Sequence, residues 1–330
     1  MKVSFFSTKS YDREFFERFN TSHEITFFDT HLSLESALLA KGSDGVCVFV
    51  NDQLTSEIIH KLHEIGVKII ALRCAGFNNV VLDTAQKLGI AVVRVPAYSP
   101  QAVAEHAVAL IMALNRKTHK AYNRVREGNF SLERLTGFDI YGKTIGVIGT
   151  GKIGNAFARI MLGFGCKVLA YDLYPSPELE AMGVSYVSQN ELLSSCHIIS
   201  LHCPLTPETH HLISTDTLRL MKPNAMLINT SRGGLINTKA VINALKTGQL
   251  GYLGIDVYEQ EADLFFKDLS EYVIQDDMLL RLMSFPNVLI TAHQGFFTEE
   301  ALSEIAKVTL QNLSDFESGH LNPATTLVGG

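Results

Sequence analysis

Short β-branched and aromatic runs alternate with amphipathic stretches through the first hundred positions. KVSFF precedes YDREFFERF, EITFF precedes SLESALLAKG, GVCVFV precedes TSEIIHKLHEIG, VKIIAL precedes LDTAQKLG, and AVVRV closes the series. Strand followed by helix, repeated, predicts parallel pairing through right-handed crossovers and therefore a small α/β domain. Ser99 and Pro100 then supply a helix cap and a first helical residue for AVAEHAVALIMALNRKTHKAYNRV, in which Val103, Ala107, Leu110, Ile111 and Leu114 share one face. One long helix connecting two domains is expected there. Residues 126 to 142 read as a loop, yet Phe130, Leu132, Leu135, Phe138 and Ile140 need cover, from their own domain or from a second subunit. After Gly142 a second series begins, TIGVIG, KVLAYD, HIISLHCP, AMLINTS, GYLGIDVY and NVLITAHQ. The closing TEEALSEIAKVTLQNLSDFESG spaces Leu302, Ile305, Leu310, Leu313 and Phe316 for one buried helix face, which need not pack on the domain beside it in sequence.

Composition narrows the class. A length of 330 residues exceeds the usual single domain, so two are expected. A net charge of -6 gives no electrostatic footprint for nucleic acid or anionic lipid, which excludes both as partners. Cys47, Cys74, Cys166, Cys196 and Cys203 are an odd set without CxxC spacing, mostly within apolar runs, and read as reduced structural thiols with no metal site. The opening MKVSFFSTKSYDREFF turns polar too soon for a secretory signal, and no window supplies the roughly 18 apolar residues of a membrane span. A soluble, cytoplasmic protein is expected.

GVIGTGKIG follows the strand TIGVI and opens a helical pattern, so Gly149, Gly151 and Gly154 satisfy GxGxxG in the required context. Glycine is needed there for a tight turn, for close approach of backbone to a pyrophosphate, and for helix-to-strand packing. The next strand ends in Asp172, about 20 residues on, where a carboxylate accepts from ribose hydroxyls and repels a 2'-phosphate. NAD is favoured over NADP.

A nicotinamide enzyme acting on a hydroxy or keto acid needs a cation for the carboxylate and a proton donor for the carbonyl. Arg232 in NTSRGG follows a strand and precedes two glycines; its planar fork suits a bidentate grip. His293 in TAHQGFF sits just past another strand, where open α/β sheets bind ligands. Glu259 and Glu261 in GIDVYEQEADLFF are both candidates to hold that imidazole, and Asp256 ends the strand before them, toward the nicotinamide.

Taken together, these segments resemble the D-isomer-specific 2-hydroxyacid dehydrogenases over essentially the whole chain, from LRCAGFNNV through VPAYSPQAVAEHA and the glycine motif to NTSRGG, DVYEQEADLFF, VIQDD and AHQGF. The ADLFF continuation is similar to the lactate branch of that family. The resemblance implies a Rossmann-type parallel-sheet cofactor domain, residues 100–297, inserted into a flavodoxin-like α/β substrate domain made of 1–99 and the returning segment 298–330. It implies Arg232, Glu261 and His293 as catalytic residues, which selects Glu261 over Glu259. It places Ala75, Gly76, Tyr98 and Phe296 around the substrate. For NAD it implies Gly149, Gly151, Lys152, Ile153 and Gly154 at the pyrophosphate, Asp172 at the ribose, and Cys203 and Pro204 beside the adenosine. Thr209, Thr230, Ser231 and Asp256 complete the cofactor set, with Thr209, Thr230 and Asp256 toward the nicotinamide. The activity implied is reversible reduction of pyruvate to D-lactate by NADH, with His293 as general acid and base, in a homodimer or homotetramer; the D stereochemistry rests on the resemblance alone. A dehydrogenase for a bulkier D-2-hydroxy acid and a non-enzymatic, NAD-sensing co-repressor are the alternatives. Three positions depart from the broader pattern: Ala262 stands where proline commonly follows the glutamate, Asn237 where aspartate is common, and Gly295 where alanine is usual, a change expected to loosen the histidine loop.

Overall fold

The computed structural model describes residues 1–261 and 264–329, so Ala262 lies outside the described residues. The chain forms two compact units, Met1–Ser99 with Phe296–Gly330, and Pro100–Gly295.

In the first unit the strands are β1 (Lys2–Phe5), β2 (Glu24–Phe27), β3 (Gly45–Val48), β4 (Ile69–Leu72) and β5 (Ala91–Arg94), with a last strand at Thr326–Val328. Their order is last strand, β5, β4, β3, β1, β2, all parallel except the last strand, which runs antiparallel to β5. The order 2-1-3-4-5 of the five parallel strands is flavodoxin-like. Central β3 and β4 are buried at every position, as a sheet covered on both faces requires. The helix Glu299–Glu317, capped by Thr298, buries Leu302, Ile305, Leu310 and Leu313 in this unit. Each such side chain contributes about 1.5–3 kcal/mol. SLESALLAKG, expected to be helical, forms only the 3-10 turn Ser36–Ala40. It buries Ala37 and Ala40 while Leu34, Leu38 and Leu39 stay exposed, so no apolar face anchors a full helix.

The second unit holds β6 (Thr144–Ile148), β7 (Lys167–Tyr171), β8 (Ser185–Tyr186), β9 (Ile198–Leu201), β10 (Ala225–Asn229), β11 (Leu250–Ile255) and β12 (Val288–Ile290). They pair in parallel in the order β12-β11-β10-β9-β6-β7-β8. The chain reverses direction across the sheet between β6 and β9, and the crevice beyond the carboxyl ends of such a pair is where open α/β sheets take ligands. The single long helix expected after Pro100 is two, Pro100–Arg116 and Thr118–Arg126, broken at Lys117 with φ 52°. The Lys117 ammonium donates to the carbonyls of Arg134 and Thr136, tying the break to the loop that follows. That loop divides. Ile140 is buried and Phe138 packs on Tyr252, while Phe130 and Leu132 are 75% and 81% exposed.

Candidate active site

Gly149 follows β6 with φ 90°, and a Cβ there would lie 2.5 Å from the Cys203 amide. A Cβ on Gly154 would lie 1.9 Å from the Gly149 carbonyl oxygen. These two glycines let the strand, the helix Lys152–Gly163 and the β9 loop touch backbone to backbone. Gly151 differs, because a Cβ there would meet nothing within 4 Å; it faces open space at the N-cap of that helix. Lys152 and Ile153 form the first turn, where unpaired N–H groups and the helix dipole favour an anion.

Asp172 follows β7. One of its oxygens accepts from the amide and hydroxyl of Thr150, and the other from the Tyr174 amide at 2.8 Å. The carboxylate is thus fixed at the edge of a cleft of about 490 Å³ that Gly149, Gly151, Cys203, Pro204 and Thr209 also line. Thr209, expected toward the nicotinamide, shares this cleft with Asp172. Its hydroxyl donates to the Pro204 carbonyl and accepts from the Thr206 amide. Burial pushes the Cys203 thiol up to about 11, which makes it wall rather than nucleophile. His202, not singled out from the sequence, lines the cleft too. Burial lowers it to about 3, so it is neutral, with Nε2 on Ser200 Oγ at 2.9 Å.

Beyond β10, the Ser231 hydroxyl donates to Leu201 O at 2.8 Å, while the buried Thr230 hydroxyl has no hydrogen-bond partner among the described residues. An open glycine at a helix N-terminus and a fixed carboxylate in one cleft, with an orphaned buried hydroxyl beyond β10, fit a dinucleotide of the NAD type.

The acid, the base and the guanidinium come from successive strand ends. Arg232 lies three residues past β10; its Nη1 donates to Ser231 O at 2.7 Å, and Asn229 Nδ2 donates to the Arg232 carbonyl. The next residue explains the glycine pair, since a Cβ on Gly233 would lie 2.1–2.4 Å from the Tyr258 carbonyl and the Glu259 amide. The Arg232 turn therefore packs directly on the turn after β11. In that turn Glu261 Oε2 accepts from the Tyr258 amide at 2.8 Å, and Glu261 Oε1 accepts from His293 Nδ1 at 2.9 Å. With Nδ1 so engaged, Nε2 remains for a ligand. Glu259, the competing candidate, turns away to His211 Nε2 at 2.6 Å.

His293 adopts φ 53°, a left-handed conformation unusual for a side chain of its size. Asp256 holds it there. Its backbone carbonyl accepts from His293 N at 2.7 Å, and its buried carboxylate accepts from the amides of Gln294 and Gly295 and from Thr291 Oγ1. His106 Nε2 reaches the same carboxylate at 3.3 Å. Burial works to raise the Asp256 carboxyl, but the bonds from His106 and Thr291 outweigh it and hold it below the usual carboxylate range. The loosening expected from Gly295 is not what the loop displays. Its N–H is tied to Asp256 at 2.8 Å, and a Cβ would sit 3.0 Å from that carboxylate oxygen. Asn237 caps the helix Thr238–Thr247 through Ala240 N at 2.9 Å, as aspartate would.

Within the first unit, Arg94 Nη1 donates to Ala75 O at 2.8 Å and fixes the turn after β4. Among the described residues the Ala75 and Gly76 amides donate to no protein acceptor. Phe296 lies 6.2 Å from the Tyr98 ring and 6.1 Å from Phe49, an aromatic that the sequence reading did not select.

A glycine-rich turn at a switch point with a carboxylate fixed after the next strand, followed on adjoining strands by an arginine and a glutamate-held histidine, defines an NAD-dependent oxidoreductase. The model for the NAD binding domain of D-isomer-specific 2-hydroxyacid dehydrogenases matches residues 108–295. The chain is 57% identical over 321 residues to 2-hydroxyacid dehydrogenase A of Aspergillus oryzae, covering 96% of this chain and 92% of that one. It is 54% identical over 325 residues to D-lactate dehydrogenase of Escherichia coli, covering 98% and 99%. A solved structure described as identifying the pyruvate reductase of Chlamydomonas reinhardtii superposes with a TM-score of 0.93 at 46% identity, over 97% of each chain. The protein belongs to the D-isomer-specific 2-hydroxyacid dehydrogenase family, with NAD as its cofactor.

Proposed function

We propose that the protein reduces pyruvate to D-lactate reversibly, with His293 as general acid and base. The observation that carries this reading is the His293 Nδ1 to Glu261 Oε1 hydrogen bond, because it orients the ring and leaves Nε2 to serve a carbonyl oxygen. When bound, reduced NAD supplies the hydride. Arg232 grips the substrate carboxylate; its turn abuts that of Glu261 through Gly233, and neighbouring parallel strands lie about 4.8 Å apart, which suits a three-carbon acid. His293 donates its Nε2 proton to the carbonyl oxygen and takes it back in the reverse direction. Glu261 holds the ring through Nδ1 during both transfers. In the first unit, Ala75, Gly76, Tyr98 and Phe296 are the residues proposed for the substrate, the first two offering amides that donate to no acceptor among the described residues. Lys152, Ile153, Gly149, Gly151, Gly154, Asp172, Cys203, Pro204, Thr209, Thr230, Ser231 and Asp256 form the cofactor side. The likeness to a D-lactate dehydrogenase and to a pyruvate reductase supports pyruvate over bulkier acids.

The test is turnover with pyruvate, 2-oxobutyrate, phenylpyruvate and hydroxypyruvate under saturating NADH. One methylene in an apolar pocket is worth about 1–3 kcal/mol, so pyruvate should exceed 2-oxobutyrate in kcat/KM by about tenfold or more. A preference for phenylpyruvate would replace lactate with an aryl substrate.

The reading includes a homodimer or larger assembly in the cytoplasm. Five free cysteines suit a reducing compartment, and among the described residues no helix is long and apolar enough to cross a membrane. Exposed Phe130 and Leu132, with Tyr122 and Val125 on the preceding helix, support self-association. Light scattering should give at least twice the 36.4 kDa chain mass, and a monomer would refute the assembly.

A further inference from the structure

A second histidine–glutamate pair lies in the same unit, and the reaction has no use for its proton. Glu259 Oε1 accepts from His211 Nε2 at 2.6 Å, while Glu259 Oε2 accepts from the Thr238 hydroxyl at 2.7 Å and the Thr238 amide at 3.2 Å. His211 has φ 52°, a strained backbone for a non-glycine residue, and its ring stacks on His210 at 3.8 Å. The proton on this pair can be assigned. Asn237 Oδ1 is committed to the Ala240 amide, so Asn237 Nδ2 faces His211 Nδ1 at 3.3 Å and leaves the imidazole hydrogen on Nε2, directed at Glu259. His210, His211 and Glu259 bring donor atoms close enough for a metal ion, but this arrangement commits the His211 Nε2 position to a hydrogen bond instead of a free lone pair.

What the pair joins is specific. His211 N donates to Gly234 O, Ile213 N to Leu235 O and Asn237 N to Ile213 O, so the loop after the cofactor-lining Thr209 is laced to the turn that begins at Arg232. Glu259 is two residues from Glu261, and its backbone amide is one of the atoms on which Gly233 rests. One carboxylate therefore holds three stretches together: the 209–213 loop, the 232–238 turn with Arg232, and the 258–261 turn with Glu261. We propose that His211 and Glu259 are positioning residues, a hydrogen-bonded clamp that sets the spacing between the Arg232 turn and the Glu261–His293 pair. The clamp rests on the catalytic reading above for its effect on turnover, while its mechanical part stands independently. A displacement of about 1 Å in such a constellation can cost about 10²-fold in rate.

The experiment compares His211→Ala, His211→Gln and Glu259→Gln in the full-length protein. Alanine and glutamine bear the same left-handed backbone at position 211, but glutamine carries an amide N–H to the place of Nε2. His211→Ala and Glu259→Gln should lose about 10- to 100-fold in kcat/KM for pyruvate, with KM rising as Arg232 shifts, whereas His211→Gln should stay within about threefold of the parent. Hydrogen exchange at the amides of Leu235, Ile236 and Tyr258 should accelerate together in the two weakened variants and not in His211→Gln. Faster exchange confined to 209–213, or equal kinetic losses in His211→Ala and His211→Gln, would overturn the clamp. A parent protein that reduces no 2-oxo acid would sink the proposed function instead, and the exchange data would still decide whether the clamp exists.

Discussion

His293→Ala should lose about 10²- to 10⁴-fold in kcat for pyruvate reduction, the contribution typical of one positioned general acid, while NADH continues to bind. Binding should survive because the residues proposed for the cofactor, the turn at Gly149–Ile153 and Asp172, lie at the ends of other strands. Alanine at φ 53° is strained, so a fall in activity could reflect a misshapen loop. His293→Asn separates the two causes, since asparagine tolerates the left-handed region and can hydrogen-bond to Glu261 but has no proton to exchange near neutral pH. Equal losses in both variants would assign the effect to proton transfer; near-parental turnover in His293→Asn would remove His293 from the chemistry. Glu261→Gln and Glu261→Ala test the orienting contact. An amide keeps an acceptor oxygen for His293 Nδ1 at the 2.9 Å contact, whereas alanine leaves the ring unheld, so Glu261→Gln should retain more kcat than Glu261→Ala. Steady-state kcat for pyruvate reduction measures this, and equal losses in the two variants would leave Glu261 with no orienting part.

The elements most legible in the sequence are those whose cause is local. Gly154 announces itself because it is required by a contact with Gly149 within one strand-turn-helix unit, Gly149 because the turn between them needs its positive φ, and Asp172 because the next strand must end beside that turn. Parallel strands buried on both faces appear as apolar runs, as in IIAL and the AMLI of β10. What the sequence hid depends on distant partners. Glu259 and Glu261 are two residues apart on an irregular loop, where no periodicity tells which faces His293; the resemblance selects Glu261, and the structure supplies the physical reason, since Glu259 is taken by His211, 48 residues before it. His106 and Thr291 are 185 residues apart, and nothing local marks either as a support for Asp256. The break at Lys117 was equally silent, because helical spacing continues on both sides and the cause is two carbonyls in a later loop. The three-residue strand Thr326–Val328 is too short for alternation to register, and it exists because the β5 edge is open to pair with it.

Arg232→Lys should raise KM for pyruvate by about 10- to 150-fold with a smaller change in kcat. The argument compares what lysine keeps with what it loses. A unit charge about 4 Å from a carboxylate is worth about 4 kcal/mol at the effective dielectric of a protein surface, and an ammonium retains most of that. It loses the second, geometrically fixed N–H of the fork, a charge-assisted hydrogen bond of about 1.5–3 kcal/mol, which sets the predicted range. The loss should fall on KM because the grip on the carboxylate is equally strong before and during reaction at the carbonyl carbon. In Arg232→Ala the charge goes as well, and the deficit should grow by at least a further tenfold. The Nη1 bond to Ser231 O fixes the guanidinium plane, and a lysine cannot make that contact and hold a carboxylate along the same axis. Steady-state kinetics with pyruvate, together with NADH affinity by fluorescence, separate the outcomes. A lysine variant with parental KM would mean the carboxylate is held elsewhere, and weakened NADH binding would place Arg232 on the cofactor instead of the substrate.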